Sequence, residues 1–431
     1  MFEWLKTAGK IFQSPDNSVI GVDVGSAYLK IVQLRRKGGK AALETYGSLA
    51  LGPYAGVEIG RATHLPADKL AEALRDLLRE AHATSTRAAF AIPFSSSLVT
   101  VMDMRVLDTK ELATIVALEA RKYIPVPISE VNLDWWIIPE EPERLSEARS
   151  NLQKDSNGQA EIRTGKPAAE NINESIIAKG STPAQLDGFS PRVSADALGS
   201  SVTERADLPV MEEAFEGAKN LKILLAAIHN EALGRYEEVV KGSSLESSFF
   251  EIELFSTIRS LFPQDLDPHA VLDLGAGETK LYVIDRGLVR LSHIMSHGGQ
   301  DITLAISRGL GISVEEAEKM KREGGLQNGG GDEHTSSAGI LNVIFSETNR
   351  TILNFERKFG RKVKDVVLSG GGANLPGIAA LAAQSFPVPV TRADPFRQVE
   401  APAFLEEVLR DVGPEFTVAV GIAFRKLQEN G

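Results

Sequence analysis

The chain has 431 residues, 43% hydrophobic and 24% charged, with a formal net charge of −11 and no cysteine. That length argues for two or more domains, and the acidic balance argues against a nucleic-acid binder driven by phosphate neutralisation. The lack of cysteine excludes disulfides, thiolate nucleophiles and cysteine-type zinc sites, and the seven histidines form no spacing such as H-E-x-x-H.

The opening "MFEWLKTAGKIFQS" has no apolar signal-peptide core. Phe2, Leu5 and Phe12 could share one face of a short helix, which either packs on the body or meets a membrane surface or partner. No apolar run approaches the roughly 20 residues needed to span a bilayer, so a cytosolic protein is expected. Strand-like runs then alternate with helical patterns, the signature of α/β domains. "VIGVDVG" and "YLKIVQLRR" predict two strands of a hairpin. "PADKLAEALRDLLREAH" has helical spacing at Leu70, Leu74, Leu77 and Leu78. "AAFAIPF" and "LVTVMDMRV" return to strand, and "TKELATIVALEARKYI" predicts a helix with Thr109 as its N-cap that stops before Pro125.

From about residue 140 to about residue 208 apolar periodicity vanishes. Such a segment cannot bury enough surface to offset its ordering entropy, and it reads as a long disordered insertion. "LKILLAAIHNEALGRYEEVV" resumes order as a strand followed by a helix, and "EGGLQNGGGDEHTSS" predicts a mobile loop.

Three motifs carry chemistry. Asp23, Gly25 and Lys30 follow D-x-G-x4-K, and Asp273, Gly275 and Lys280 repeat it with the same spacing, each copy between two apolar strands. About 250 residues, a domain's length or more, separate the copies. A duplicated α/β domain with one such hairpin in each half is the economical reading. A tight glycine turn presents successive backbone N–H groups that can cradle a phosphate. An aspartate beside it makes sense if Mg²⁺ lies between, because Mg²⁺ uses one or two carboxylates plus phosphate oxygens. Two facing hairpins would thus clamp a nucleotide, with Asp23 and Asp273 as metal ligands; the plainer alternative is two ordinary β-turns. Third, "VKDVVLSGGGANLPGI" runs a strand, 363–368, into Gly370, Gly371 and Gly372, with a helix expected near Pro376. Glycines there would let an adenosine approach the backbone.

In order, these motifs resemble the phosphate-1, phosphate-2 and adenosine motifs of the actin, sugar-kinase and Hsp70 ATPase superfamily. "ALEARKYIPVPISEVNLDWWII", "HGGQDITLAISRGLGISVEEAEKMK" and "FTVAVGIAFRKL" are similar to segments of the PilM family of type IV pilus assembly, and the likeness covers residues 19–427 apart from the polar insertion. The resemblance implies an α/β actin-like ATPase fold: two ribonuclease-H-like domains flanking a nucleotide cleft, with a 1C-type subdomain as in FtsA. The implied divisions are 1–85 for the first part of domain 1, 86–240 for the 1C-type subdomain with the insertion at 140–208, 241–267 for the return to domain 1, and 268–431 for domain 2 with a smaller subdomain at about 300–345.

Carried over by motif, contacts to ATP and Mg²⁺ fall on Asp23, Gly25, Ser26, Ala27 and Lys30, and on Asp273, Gly275, Ala276, Gly277 and Glu278. Gly298, Gly299 and Asp301 open the next helix beside the cleft. An E-x-x-K-R pattern falls on Glu318, Lys321 and Arg322, which would face ribose or adenine or else form a solvated helix face. For hydrolysis a group must position the attacking water; Glu253 is the nearest candidate and Glu251 the runner-up, with a surface glutamate capping its helix as the alternative. The resemblance implies firm ATP binding, slow or absent hydrolysis, and a place on the cytoplasmic face of the inner membrane. There the chain would bind the cytoplasmic N-terminal segment of a PilN-like membrane protein, more tightly when loaded with ATP, with membrane contact indirect through that partner and self-association left open. Tyr123, Ile124, Pro125 and the Trp135–Trp136 pair are the best apolar anchors for it. An FtsA-like division filament and a small-molecule kinase of the same superfamily are the alternatives.

Overall fold

A computed structural model describes residues 18–106, 112–138, 219–325 and 332–429. The N-terminal helix expected from Phe2, Leu5 and Phe12, the Thr109 cap and the 140–208 insertion lie outside the described residues. What is described falls into two compact units, one within Met1–Leu98 and Ile228–Gly431, the other within Val99–Ala227.

The larger unit contains two sheets built to one plan. In the first, β1 (Ser18–Val24), β2 (Tyr28–Lys37) and β3 (Lys40–Ala50) form an antiparallel meander. After helix α1 (Ala67–Glu80), β4 (Arg87–Ile92) joins β1 in parallel. In the second, β9 (His269–Leu274), β10 (Thr279–Asp285) and β11 (Leu288–Met295) form the same meander, and β12 (Asp365–Ser369) joins β9 in parallel. A further parallel strand extends each: β8 (Glu246–Ile252) beside β4, and β13 (Val390–Arg392) beside β12. The duplication expected from the repeated D-x-G-x4-K is thus a duplication of topology.

Each sheet is covered by helices because its strands are apolar on both faces. On one face of the first, Ile20, Val22, Phe90 and Ile92 pack against Leu70, Leu74 and Leu77 of α1 and Tyr236 and Val239 of α3 (Asn230–Ser243). The helix expected from 70, 74 and 77 therefore forms with those leucines inward. The second sheet packs Leu272, Leu281, Val283 and Val366 against α5 (Gly299–Leu310), α7 (Asp332–Phe359) and α8 (Ile378–Ser385).

The last part of the chain returns to the first sheet. Strand β14 (Val399–Glu400) pairs with β3, and after the short α9 (Glu406–Val412) helix α10 (Thr417–Gln428) lies on the sheet's other face, burying Ala419, Val420 and Ala423 with Val19, Val32 and Leu34. Two glycines let α10 sit close. A Cβ on Gly21 of β1 would overlap the carbonyl oxygen of Ala419, and a Cβ on Gly421 would overlap that of Ser256 in α4 (Glu253–Leu261). Helix α4 carries the chain from the first sheet toward the second, so both passages between the lobes meet at this contact.

Two expectations need correcting. The predicted loop 323–337 is partly helical: α6 (Val314–Gly324) runs into its start and α7 begins at Asp332. The helix expected near Pro376 begins at Ile378, because a 3-10 turn at Gly371–Asn374 follows the glycines first.

In the smaller unit, β5 (Ser97–Val106), β7 (Lys219–His229) and β6 (Val131–Ile138) form a sheet with β7 central, accompanied by α2 (Leu112–Ala120). Tyr123 and Pro125 are exposed and Trp135 and Trp136 are half-buried. Ile124 is buried, so it belongs to the core of this unit and is no surface anchor; its N–H donates to Ala120 O, which turns the side chain inward at the end of α2.

Candidate functional site

The two hairpins place their charged residues by register. In an antiparallel pair, residues directly opposite each other share a face. Asp23 pairs with Lys30 across β1 and β2, and Asp273 with Lys280 across β9 and β10. The turns match as well: Gly25 N–H donates to Tyr28 O at 3.0 Å, and Gly275 N–H to Glu278 O at 3.1 Å. Both aspartates open toward one cavity of about 690 Å³ in the larger unit, within the usual size range for small-molecule and cofactor sites. Asp23, Lys30, Asp273, Lys280, Glu253 and Glu318 line it. So do the turn residues Gly25–Ala27 and Gly275–Glu278, Lys321 and Arg322, and Gly370, Gly371 and Gly372. Glu251 lies elsewhere.

The copies differ in one respect. Lys30 Nζ lies 3.3 Å from its own hairpin's Asp23, whereas Lys280 Nζ leans to Glu253 Oε1 at 2.7 Å and stands 4.0 Å from Asp273. Burial works to lower both lysines, yet the surrounding carboxylates win and hold them above the ordinary lysine value. Burial pushes the carboxyls of Glu253 and Asp273 up, with Lys280 opposing.

Glu253 is buried at the first position of α4, and it makes no side-chain cap there. The surface-cap alternative is therefore wrong: the strand-to-helix junction turns this side chain into the cavity. Phe94 N–H at 2.6 Å and Lys280 Nζ at 2.7 Å both reach Oε1. Oε2 accepts no hydrogen bond from the described residues. One oxygen is anchored and the other faces the cavity, which is the posture of a group able to orient water. Glu251 has a structural role: Arg259, Arg425 and Ser256 all bond its carboxylate.

Glu318, Lys321 and Arg322 form a bonded knot in which Glu318 is buried, Lys321 half-buried and Arg322 exposed, so the solvated-face alternative fails for Glu318 and holds for Arg322. Its Oε2 accepts from Thr303 Oγ1 and Lys321 Nζ, each at 2.6 Å, and its Oε1 from Arg322 Nε at 2.7 Å. Burial would raise the Glu318 carboxyl, but these donors hold it below the ordinary value. Arg322 Nη2 also donates to Tyr28 OH at 2.6 Å, a bond from second lobe to first.

The glycine triplet serves two ends. A Cβ on Gly370 would overlap Asp273 Oδ1, and one on Gly372 would come 2.7 Å from Leu274 Cβ, so both are glycine to clear the second hairpin. Gly371, by contrast, faces open space. Gly298 caps α5 with Asp301, whose carboxylate accepts the Gly298 N–H at 2.8 Å. The N–H groups of Gly299 and Gln300 bond the carbonyls of Gly275 and Ala276, each at 2.9 Å, so this helix end buttresses the hairpin.

Several cavity residues escaped the sequence reading. Tyr28 and Gln300 sit beside quoted motifs, which is the only signal they give. Arg235 and Tyr236 enter from α3, which shows no motif. Arg235 Nε, Tyr236 OH and Tyr282 OH are buried polar atoms without a hydrogen-bond partner among the described residues; a polar ligand or its water would satisfy the two that line the cavity, Arg235 and Tyr236. Among the described residues no group of three or more His, Asp or Glu is placed to hold a metal by itself. Asp23 and Asp273 both line the cavity, and Mg²⁺ characteristically takes one or two carboxylates together with phosphate oxygens.

The family model "Type IV pilus assembly protein PilM" matches residues 21–153 and 205–427. The ethanolamine utilization protein EutJ of Escherichia coli (strain K12) is 31% identical over 122 residues, 28% of this chain and 40% of that protein. The cell division protein FtsA of Bacillus subtilis (strain 168) is 29% identical over 136 residues, 26% of this chain and 30% of that protein. The chain thus spans well under half the length of these curated relatives. Among solved structures, a chain of the "PilM-PilN type IV pilus biogenesis complex" matches at TM-score 0.67 and 22% identity, covering 95% of this chain and 98% of that one, which shows a common fold.

Proposed function

The chain belongs to the family of the type IV pilus assembly protein PilM and has its actin-like ATPase fold, and from that premise we propose that it is an ATP-binding scaffold of the pilus assembly machine. The observation that carries the nucleotide reading is the pair of matched hairpins, each opposing an aspartate to a lysine at the rim of one cavity. Gly25–Ala27 and Gly275–Glu278 would cradle the phosphates, and Lys30 and Lys280 would neutralise them. Glu318 and Lys321 would face the ribose, and the Gly371 backbone the adenosine. Asp23 and Asp273 would hold Mg²⁺, which when bound supplies the positive charge that lets phosphates approach two carboxylates. Glu253, its Oε2 free, would orient water in whatever slow hydrolysis occurs; its Oε1 stays tied to Lys280 and Phe94.

The partner is a PilN-like membrane protein, bound through its cytoplasmic N-terminal segment. Family membership and likeness in fold to a chain of the PilM–PilN complex support this. No helix among the described residues is long and apolar enough to cross a membrane, which is in keeping with a peripheral place on the cytoplasmic face of the inner membrane, held there by the partner. ATP would favour the domain arrangement that binds the segment, a population shift sized by its differential affinity for the two arrangements.

Calorimetry with magnesium–ATP on the wild type and on Asp23→Ala, with radiolabelled hydrolysis in parallel, tests this. Binding in the wild type, loss of at least tenfold in the variant and negligible turnover are expected. Absence of binding in both would refute the nucleotide reading, and rapid turnover would favour an enzyme. Equal affinity for the partner segment with and without ATP would refute the gating.

A further inference from the structure

We propose that the face remote from the cavity, built from the β2–β3 turn, the linker 262–268 and residues 357–364, rests directly on an anionic phospholipid surface. The proposal rests on the peripheral membrane place read above and adds to it a contact made by this chain itself.

The sheets define that face. Strands β1 and β2 run from Asp23 opposite Lys30 at the cavity to Ser18 opposite Arg35 at the far end. Strands β9 and β10 run from Asp273 opposite Lys280 to His269 opposite Ile284, where β12 also begins at Asp365. The far end of the first sheet carries Arg35, Arg36, Lys37 and Lys40 around Gly38 and Gly39, whose φ of +57° and +82° make a tight, exposed tip. The far end of the second receives the run "RKFGRKVK", with Arg357, Lys358, Arg361, Lys362 and Lys364. A path of contacts joins the two. Lys40 Nζ lies 3.6 Å from Glu400 Oε1, and Gln398 Nε2 donates to Ser260 O at 3.0 Å in the last turn of α4. In the linker that follows, Leu266 O accepts from Arg361 Nη2 at 3.3 Å.

In a chain of net charge −11 this concentration of cations is a local reversal. Carboxylates of the same face are already engaged: Glu44 by Arg35 at 3.2 Å, Asp267 by Lys364 at 2.9 Å and Asp285 by Arg361 at 3.0 Å. Lys37, Arg357, Lys358 and Lys362 are exposed and have no carboxylate partner among the described residues. Arg357 and Lys358 also suit the negative end of α7, but Lys37 and Lys362 lie outside any helix. Beside Arg361, Leu266 is 54% exposed. Cations around a protruding apolar side chain match the boundary of an anionic bilayer, where charges meet headgroups and the leucine meets the acyl edge. Residues 1–17, with Phe2, Leu5 and Phe12, lead into β1 at this same end, so apolar sequence and cations converge there. Seated this way, the chain keeps its cavity on the side away from the lipid.

Flotation of the purified chain, without partner, tests this with vesicles of phosphatidylcholine alone or of equal parts phosphatidylcholine and phosphatidylglycerol. Binding to the anionic vesicles only, weakened by added salt, is expected. Arg357→Gln and Lys362→Gln should each weaken it about five-fold. Lys319→Gln, on the exposed side of α6, should leave it unchanged. Because the chain has no cysteine, Leu266→Cys gives one site for an environment-sensitive fluorophore, whose emission should shift to the blue on anionic vesicles and not on neutral ones. No binding to anionic vesicles, equal binding to both kinds, or binding indifferent to both substitutions with a silent label would overturn the proposal. So would binding of poly-glutamate in place of vesicles, which would make this a protein-docking face. None of these outcomes touches calorimetry of the partner segment, so the partner-held reading stands or falls separately.

Discussion

Replacing Glu251 by glutamine keeps its volume and removes its charge, and the loss can be worked from its partners. Arg259 Nη1 and Nη2 bond its two oxygens at 2.7 and 2.8 Å, Arg425 Nη1 adds a bond at 2.7 Å and Ser256 Oγ another at 2.7 Å. The side chain is 2% exposed, so solvent screens little of this. Burial alone would raise the carboxyl, but Arg259 first and Arg425 second bring it from the ordinary 4.5 down to about 2. At about 1.4 kcal/mol per tenfold, that interval is worth about 3 kcal/mol of folding stability at neutral pH. A second route agrees: removing one partner of a buried pair costs about 3–5 kcal/mol, because the other charge stays buried and unpaired. Urea denaturation at neutral pH should show the full deficit. The folded value is depressed, so the contribution is present above about 4.5 and lost as pH falls toward about 2. The gap between wild type and Glu251→Gln should therefore narrow across that window. A deficit below about 1 kcal/mol, or one insensitive to acid, would show the knot to be well hydrated and refute the reasoning.

Two further outcomes follow from packing and titration. Gly421→Ala forces a methyl onto the Ser256 carbonyl oxygen, so a loss of about 1–3 kcal/mol and a Tm lower by several degrees are expected; an unchanged melt would mean that the two helices have room to part. His269 is buried with Nδ1 2.7 Å from Asp365 Oδ1 and Nε2 3.1 Å, outside hydrogen-bond alignment, from Asp265 Oδ2. Burial opposes its charge, but Asp365 and Asp265 raise it above the ordinary value. Its contribution is fully present below about 6.5 and lost as pH rises through the raised folded value, so the stability gap to His269→Gln should shrink as pH rises above about 6.5. A constant gap would place the stabilisation in the ring's stacking on Phe262, 4.3 Å between centroids.

The hairpins were legible because their information is local. Spacing of seven residues around a short turn puts aspartate opposite lysine in any antiparallel pair, and the apolar flanks say which face is buried. The choice between Glu251 and Glu253 was not legible, because it depends on the residue at which a strand's period of two becomes a helix's 3.6. The segment 51–66 between β3 and α1 has no periodicity, and its partners Gln300 and Glu318 lie more than two hundred residues away. The return of β14 and α10 to the first sheet is likewise a long-range pairing with no local sign. Ile124 misled because an apolar residue beside prolines looks like a surface anchor until the helix end that turns it inward is seen.

The bare contact of α10 with α4 has a mechanical consequence. Interlocked side-chain ridges fix the angle at which two helices cross; here backbone meets backbone at Gly421, so at that point the crossing angle has no teeth to hold it. Spinning α10 about its own axis would bring Val420 or Ile422 into a gap that admits no Cβ, and sliding it one turn would bring in Val418 or Arg425. Both are blocked. The joint therefore holds the register of α10 on α4, and the bonds of Arg425 and Arg259 to Glu251 beside it tie the two helices to the edge of the first sheet.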